Sequence, residues 1–115
     1  MGNLILHPES ATLLSGVRER RCVVERLDSA GVSSRKLLYF RFPDTFVSVA
    51  DSDCESYLLA TVMSAMREGR SLEVRGEVTD VLLANLTEFI HAWHCWLPRE
   101  YALIDIVAET VRYEN

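Results

Sequence analysis

Apolar positions recur at helical spacing in two stretches of this chain and alternate with polar ones in several others. The most apolar stretch is Thr79–Pro98, TDVLLANLTEFIHAWHCWLP, where Leu82, Leu86, Phe89, Trp93 and Trp96 follow at steps of four, three, four and three. That spacing lines one face of an α-helix. Leu83, Ile90, His94 and Leu97 form a second row, so the stripe is wide and predicts burial, most simply against a sheet. Thr79 can cap the start, Asp80 suits the positive end of the helix dipole, and Pro98 stops the helix. The rest of the chain is expected to be organised around this helix.

The remaining elements follow in order. Residues 1–10 read as a loosely held arm, because Asn3, His7, Pro8 and Ser10 break any period. A short strand at Thr12–Val17, bending at Gly16, precedes a β-like stretch over Arg20–Leu27. Turn residues fill 28–35, and Lys36–Phe42 is the strongest strand, with Leu38, Phe40 and Phe42 on one side and Leu37, Tyr39 and Arg41 on the other. These strands should pair as a hairpin. Phe46, Val47 and Val49 lead to a second helix, from about Asp53 to Glu68. Ser52 and Glu55 have the spacing of a capping box, and Gly69 is placed for a left-handed C-terminal cap. A strand over Ser71–Gly76, with Leu72 and Val74 inward, precedes the Thr79 helix, and Ala102–Tyr113 is the last strand. The sequence therefore predicts a single small α+β domain over 1–115, in the order β-β-α-β-α-β. It should be a two-layer sandwich of a mixed sheet of about four strands with two helices on one face.

Composition adds constraints. A chain of 115 residues with 49% hydrophobic and 25% charged residues can bury a core of its own. The net charge of −5 is uneven: residues 1–42 carry seven Lys/Arg against four Asp/Glu, and the remainder five against thirteen. An acidic whole argues against general nucleic-acid affinity but leaves room for a local basic patch. The three cysteines, Cys22, Cys54 and Cys95, form no close pair and suit a reducing compartment. Leu4-Ile5-Leu6 is too short for a secretory core, and no window reaches the roughly 18 apolar residues of a membrane span. A bacterial or phage cytoplasm is the expected location, with no membrane partner.

From Phe40 onward the phrases FRFPDTF, LLATVMSAMREG, SLEVRGEVTDVLLANLTEF and PREYALIDI resemble the N-terminal accessory domain of bacterial asparagine-synthase-like and queuosine-precursor-synthase-like proteins. These belong to the PP-loop ATP-pyrophosphatase superfamily, whose chemistry sits in a later domain with an SGGxDS-like loop. Leu14-Ser15-Gly16 is not followed by a second glycine or an Asp-Ser pair, so no ATP-binding residue carries over. The resemblance implies a non-catalytic accessory or protein-interaction domain, with a protein partner or an adjoining catalytic domain. The end at Tyr113-Glu114-Asn115, directly after a strand, suits the front piece of a longer protein.

Three clusters are candidates for function. His91, His94 and Cys95 are the one dense group of reactive side chains; His91 and Cys95, four apart, could reach one metal. A structural zinc site needs a second pair, which no spacing supplies, although Cys22 or Cys54 could contribute. A catalytic thiol at Cys95 is disfavoured by the negative end of its helix. A buried thiol beside two helix-end imidazoles is the simpler expectation, with no metal or cofactor. The second cluster is the basic hairpin Arg18, Arg20, Arg21, Arg26, Arg35, Lys36 and Arg41, with Tyr39 interleaved. It reads as a solvated hairpin paired with Glu19, Glu25 and Asp28, as a surface for an acidic partner, or as a nucleic-acid or nucleotide-binding module. The third is the pair Trp93 and Trp96, of which Trp93 is expected in the core and Trp96 at the surface. Asp51, Asp53 and Glu55 read as a helix cap. Arg20, Arg21, Tyr39, Arg41 and Trp96 are the expected partner surface; a small metal- or thiol-dependent enzyme on His91, His94 and Cys95 is the remaining alternative.

Overall fold

The computed structural model describes residues 2–31, 33–46 and 49–114. Val47, expected to lead into the first helix, and Asn115 lie outside the described residues. The chain forms β1 (Asn3–Pro8), β2 (Thr12–Leu14), β3 (Val17–Leu27), β4 (Ser33–Pro43), α1 (Glu55–Glu68), β5 (Ser71–Thr79), α2 (Asp80–Trp96) and β6 (Ile106–Arg112). This is an α+β fold on a mixed sheet, as the sequence predicts, but the sheet has six strands rather than about four.

The missing strand is β1. The expected loose arm is instead a central strand, antiparallel to β3 on one side and parallel to β5 on the other. Leu4 and Leu6 are buried on the helix side, and Ile5 is buried on the opposite face among its neighbours. A strand covered on both faces needs no alternation, only a short apolar run, which is why the flanking Asn3, His7 and Pro8 obscure it. Between Pro8 and Thr12 the chain advances four residues while β3 advances three, from Cys22 to Glu19. The extra residue is a bulge, so β1 and β2 form one bent strand along the same side of β3. Ser15 and Gly16 both have positive φ, 51° and 79°, which closes the β2–β3 hairpin as a tight two-residue turn. On its other side β3 pairs with β4 over eleven positions, from Val17↔Pro43 to Leu27↔Ser33. β5 and β6 pair in parallel, and α2 connects them.

Residues of one parity face the helices throughout. Leu4, Leu6, Cys22, Val24, Leu72, Val74 and Val78 share one core with residues of both helices, so the helices lie together on one side of the sheet. α1, not α2, is the deeper of the two: Tyr57, Leu58, Val62, Ala65 and Met66 are almost fully buried, whereas only Leu86 and Ile90 are buried in α2. α1 lies over the sheet's centre, β1 and β5, while α2 lies over β5 and the edge strand β6. Position in the sheet therefore outweighs the more apolar sequence of α2.

The helix starts are joined to each other. Thr79 caps α2 as expected, its Oγ1 accepting from the Leu82 N–H at 3.2 Å. The same hydroxyl donates to Glu55 Oε2 at 2.6 Å, across to the first turn of α1. Glu55 is thus drawn away from the predicted capping box with Ser52, and Asp53 Oδ1 accepts from the Glu55 N–H at 3.0 Å instead. Gly69 closes α1 in the left-handed conformation, as predicted. Residues 52–54 are stitched to β5 where β1 has ended: Cys54 N–H donates to Glu77 O at 2.9 Å and Glu77 N–H to Ser52 O at 2.8 Å. Gly76 permits this approach, since a Cβ there would stand 2.5 Å from Ser52 O and 2.6 Å from Cys54 Sγ. Gly76→Ala should therefore cost on the order of 1–3 kcal/mol. A urea melt indistinguishable from the wild type would show that the junction yields without strain.

Candidate functional site

The structure distributes the three predicted clusters over different surfaces. On α2, His91 Nδ1–H donates to Thr87 O at 2.8 Å, and His94 Nδ1–H donates to Tyr101 O at 2.8 Å. Each imidazole is thus anchored to a different stretch of backbone. Cys95 is exposed, which corrects the expected buried thiol. Among the described residues no three His, Cys, Asp or Glu side chains converge on a point that could hold a metal ion. The buried thiols are the other two. Burial pushes the Cys22 thiol up to about 12, and burial with the neighbouring Asp53 pushes Cys54 up to about 11. Both stay protonated at neutral pH, which removes their nucleophilic form.

The basic hairpin divides between the two faces of the sheet. Arg20, expected on a partner surface, is 8% exposed and points into the helix side. Its guanidinium lies 5.0 Å from the centre of the Tyr57 ring and donates to Asp53 O at 2.6 Å, with longer bonds of 3.4 Å to Ala50 O and Ser56 Oγ. It holds the 50–56 segment against β3. Phe40 stacks on the other side of this group, 5.9 Å from Tyr57. Burial raises the Tyr57 hydroxyl to about 12, and that hydroxyl has no hydrogen-bond partner among the described residues.

Most of the remaining arginines meet carboxylates. Arg41 Nε donates to Glu19 at 2.7 Å while its guanidinium covers Tyr39 at 4.8 Å. Arg21 lies 3.5 Å from Glu19 and 3.8 Å from Glu9, and Arg35 lies 3.4 Å from Glu25, which also accepts from His7 Nε2 at 2.9 Å. Arg26 makes twin bonds of 2.7 and 2.8 Å to Glu68, which also binds Arg70. Four of the hairpin's seven cations, Arg21, Arg26, Arg35 and Arg41, thus meet carboxylates, whereas Arg18 and Lys36 form no ion pair among the described residues.

The C-terminal edge of β5 gathers residues that sequence analysis missed. Arg112 sits against Glu77 and lies 3.8 Å from both Asp53 and Glu55. Asp53 accepts from the first turn of α1 while Glu55, expected in the same cap, turns to Thr79 instead, and the arginine beside them comes from β6, which no local signal links to them. Besides a cleft of about 300 Å³ at the end of α2, lined by Trp96, Leu97, Pro98, Arg99 and Glu100 and at the lower bound for small-molecule sites, two open clefts bear on the predicted clusters. One of about 200 Å³ lies between α2 and β6, lined by Ile90, His91, Ile104 and Asp105. The other, about 230 Å³, lies beside β4, lined by Arg20, Phe40, Phe42, Phe46 and Val49. Both fall below the roughly 300–1,000 Å³ of small-molecule sites.

The aromatic end of α2 differs from these. Trp93 is partly buried against Tyr101 and Phe89, with ring centres 5.4 and 6.2 Å away. Trp96 meets Trp93 edge-on at 5.4 Å and is 66% exposed, beside the exposed Leu97 and Pro98. Trp93 and Trp96 therefore stand as the sequence predicts. No helix among the described residues is long and apolar enough to cross a membrane.

No family model matches the chain, and no curated protein or solved structure shows significant similarity to it.

Two predictions follow from burial and pairing. In the native protein a thiol reagent should titrate Cys95 quickly and the other two cysteines only after denaturation; two fast thiols would mean that the core opens at Cys22 or Cys54. Glu68 has its pKa lowered below the ordinary 4.5, chiefly by the hydrogen bond from Arg26. Its contribution to stability is present above the unfolded value and is lost as pH falls through the lowered folded one. Glu68→Gln should destabilise the protein at pH 7 and converge with the wild type in acid. An equal gap in urea melts at both pH values would rule out the ion pair as its source.

Proposed function

We propose that this chain is a non-catalytic accessory domain that binds a partner protein through the aromatic end of α2. The supporting observation is Trp96, a large ring left exposed that rests edge-on against Trp93, which itself packs on Tyr101 and Phe89. An anchor already ordered before binding loses little freedom on docking, and tryptophan is over-represented among residues that dominate binding energy. The protonated Cys22 and Cys54 thiols and the separately anchored imidazoles favour binding over chemistry. The sequence resemblance supplies the class of partner: a PP-loop ATP-pyrophosphatase domain, in the same polypeptide or as a separate chain of the cytoplasm. The basic hairpin contributes through Tyr39, Arg21 and Arg41 at most as a rim, because both arginines are already paired.

The candidate to test is a PP-loop protein encoded in the same genome. Its PP-loop domain should bind the chain with a micromolar Kd in calorimetric titration. Trp96→Ala should weaken that binding roughly tenfold or more while leaving the urea melt of the free chain nearly unchanged. The isolated chain should show no saturable heat with Mg-ATP. Binding that ignores Trp96, or micromolar ATP affinity in the isolated chain, would sink the reading.

A further inference from the structure

β4 is an edge strand of eleven residues, paired with β3 along its whole length and, among the described residues, with no strand on its other side. An edge this long presents a row of free backbone donors and acceptors. Its side chains are apolar on both faces: Leu37 and Tyr39 are exposed on the open face, and Phe40 on the helix face. Phe42 stacks on Phe46 at 6.2 Å, and Phe46 is 61% exposed; α1 reaches β4 through Tyr57, which stacks on Phe40. Arg35 and Arg41 are neutralised by Glu25 and Glu19. Lys36, near the start of the strand, and Asp44, the first residue of the turn that follows Pro43, form no ion pair among the described residues.

From this arrangement we infer that β4 is the interface of a homodimer, pairing antiparallel with β4 of a second copy about a two-fold axis through Phe40. Only some registers suit the sequence. Centring the axis on Leu38 sets Arg35 opposite Arg41 of the second copy, which repels. Centring it on Phe40 sets Phe40 against Phe40, Leu38 against Phe42, Leu37 against Pro43, Tyr39 against Arg41 and Lys36 against Asp44. Every pair is then apolar, cation–aromatic or oppositely charged, and the last occurs twice by symmetry. Partners share parity in this register, so the helices of both copies lie on one side of a continuous sheet. Pro43, which has no N–H, falls at the end of the ladder, where a missing donor costs least. The exposed phenylalanines of the two copies meet beside the axis. A partner of other chemistry has less to offer: an acidic strand would find the arginines already paired and would leave Asp44 facing its own charge.

The surface is separate from Trp96, so the two proposals fail separately. Sedimentation equilibrium at low salt, up to roughly 0.5 mM chain, should show a monomer–dimer equilibrium. Phe40→Lys, which sets two cations together at the axis, should leave a monomer with an unchanged circular dichroism spectrum. Lys36→Asp and Asp44→Lys should each weaken the dimer roughly tenfold, because two attractions become two repulsions, and the double exchange should restore it. Trp96→Ala should leave it intact. A wild-type chain that stays monomeric throughout overturns the proposal, as does a dimer indifferent to Phe40→Lys. Single exchanges that the double variant does not rescue overturn this register. A monomer whose β4 amides become protected from exchange only on adding the PP-loop partner would assign the edge to that partner instead.

Discussion

The structure depends on the close approach of residues 52–54 to β5 at Gly76. Strand β1 ends at Pro8, which has no N–H to continue a ladder, and the vacated side of β5 is taken up by the segment leading into α1. Two backbone hydrogen bonds hold it there, and Cys54 Sγ fills the space that a side chain at position 76 would occupy. That contact sets where α1 begins, and therefore where Tyr57, Leu58 and Val62 meet the sheet. It also brings Glu55 to Thr79, so one hydroxyl serves the starts of both helices. Helix placement here is a consequence of strand termination.

Charge in this protein is used mainly for internal fastening. Arg20 ties the same 50–56 segment to β3 from the other side, through carbonyl oxygens and the Tyr57 ring rather than through a carboxylate. A guanidinium suits that task because its planar donors can bond several acceptors while its face lies on an aromatic ring. Arg112 balances Asp53, Glu55 and Glu77 at the far end of the junction. Three arginines of β3 and β4 pair with carboxylates of the first 42 residues, Arg21 with Glu9 and Glu19, Arg35 with Glu25 and Arg41 with Glu19, while Arg26 reaches across to Glu68 on α1 and Arg70 back to Asp28.

Features written in local chemistry were legible before the fold was known. Thr79, Gly69 and the alternation of Leu38, Phe40 and Phe42 each act within a few residues of their own position. Three features were not legible. Leu4-Ile5-Leu6 is a central strand only because β3 and β5 lie on either side. Arg20 is indistinguishable in sequence from Arg18 and Arg21, and its partners lie thirty or more residues away. The Ser52–Glu55 spacing is a genuine capping pattern, but Thr79 competes for Glu55 and wins, so Asp53 takes the helix start. At the candidate site, the exposure of Trp96 could be read from its place at the helix end. The exposure of Cys95 could not, because it depends on how much of α2 the sheet's edge can cover.

The place of β1 carries a consequence for how the chain is made. Its antiparallel neighbour, β3, is complete once Leu27 has been added, but its parallel neighbour pairs through Ser71, Leu72, Glu73 and Val74. β1, made before the other strands of this sheet, is therefore half-partnered while more than forty further residues are synthesised. Throughout that interval Leu4, Ile5 and Leu6 form the rim of an unfinished sheet, and α1, whose residues also precede β5, can cover Leu4 and Leu6 but not Ile5, which faces the other way. The most deeply enclosed strand of the finished protein is thus the one that waits longest, in an open state, for its second neighbour.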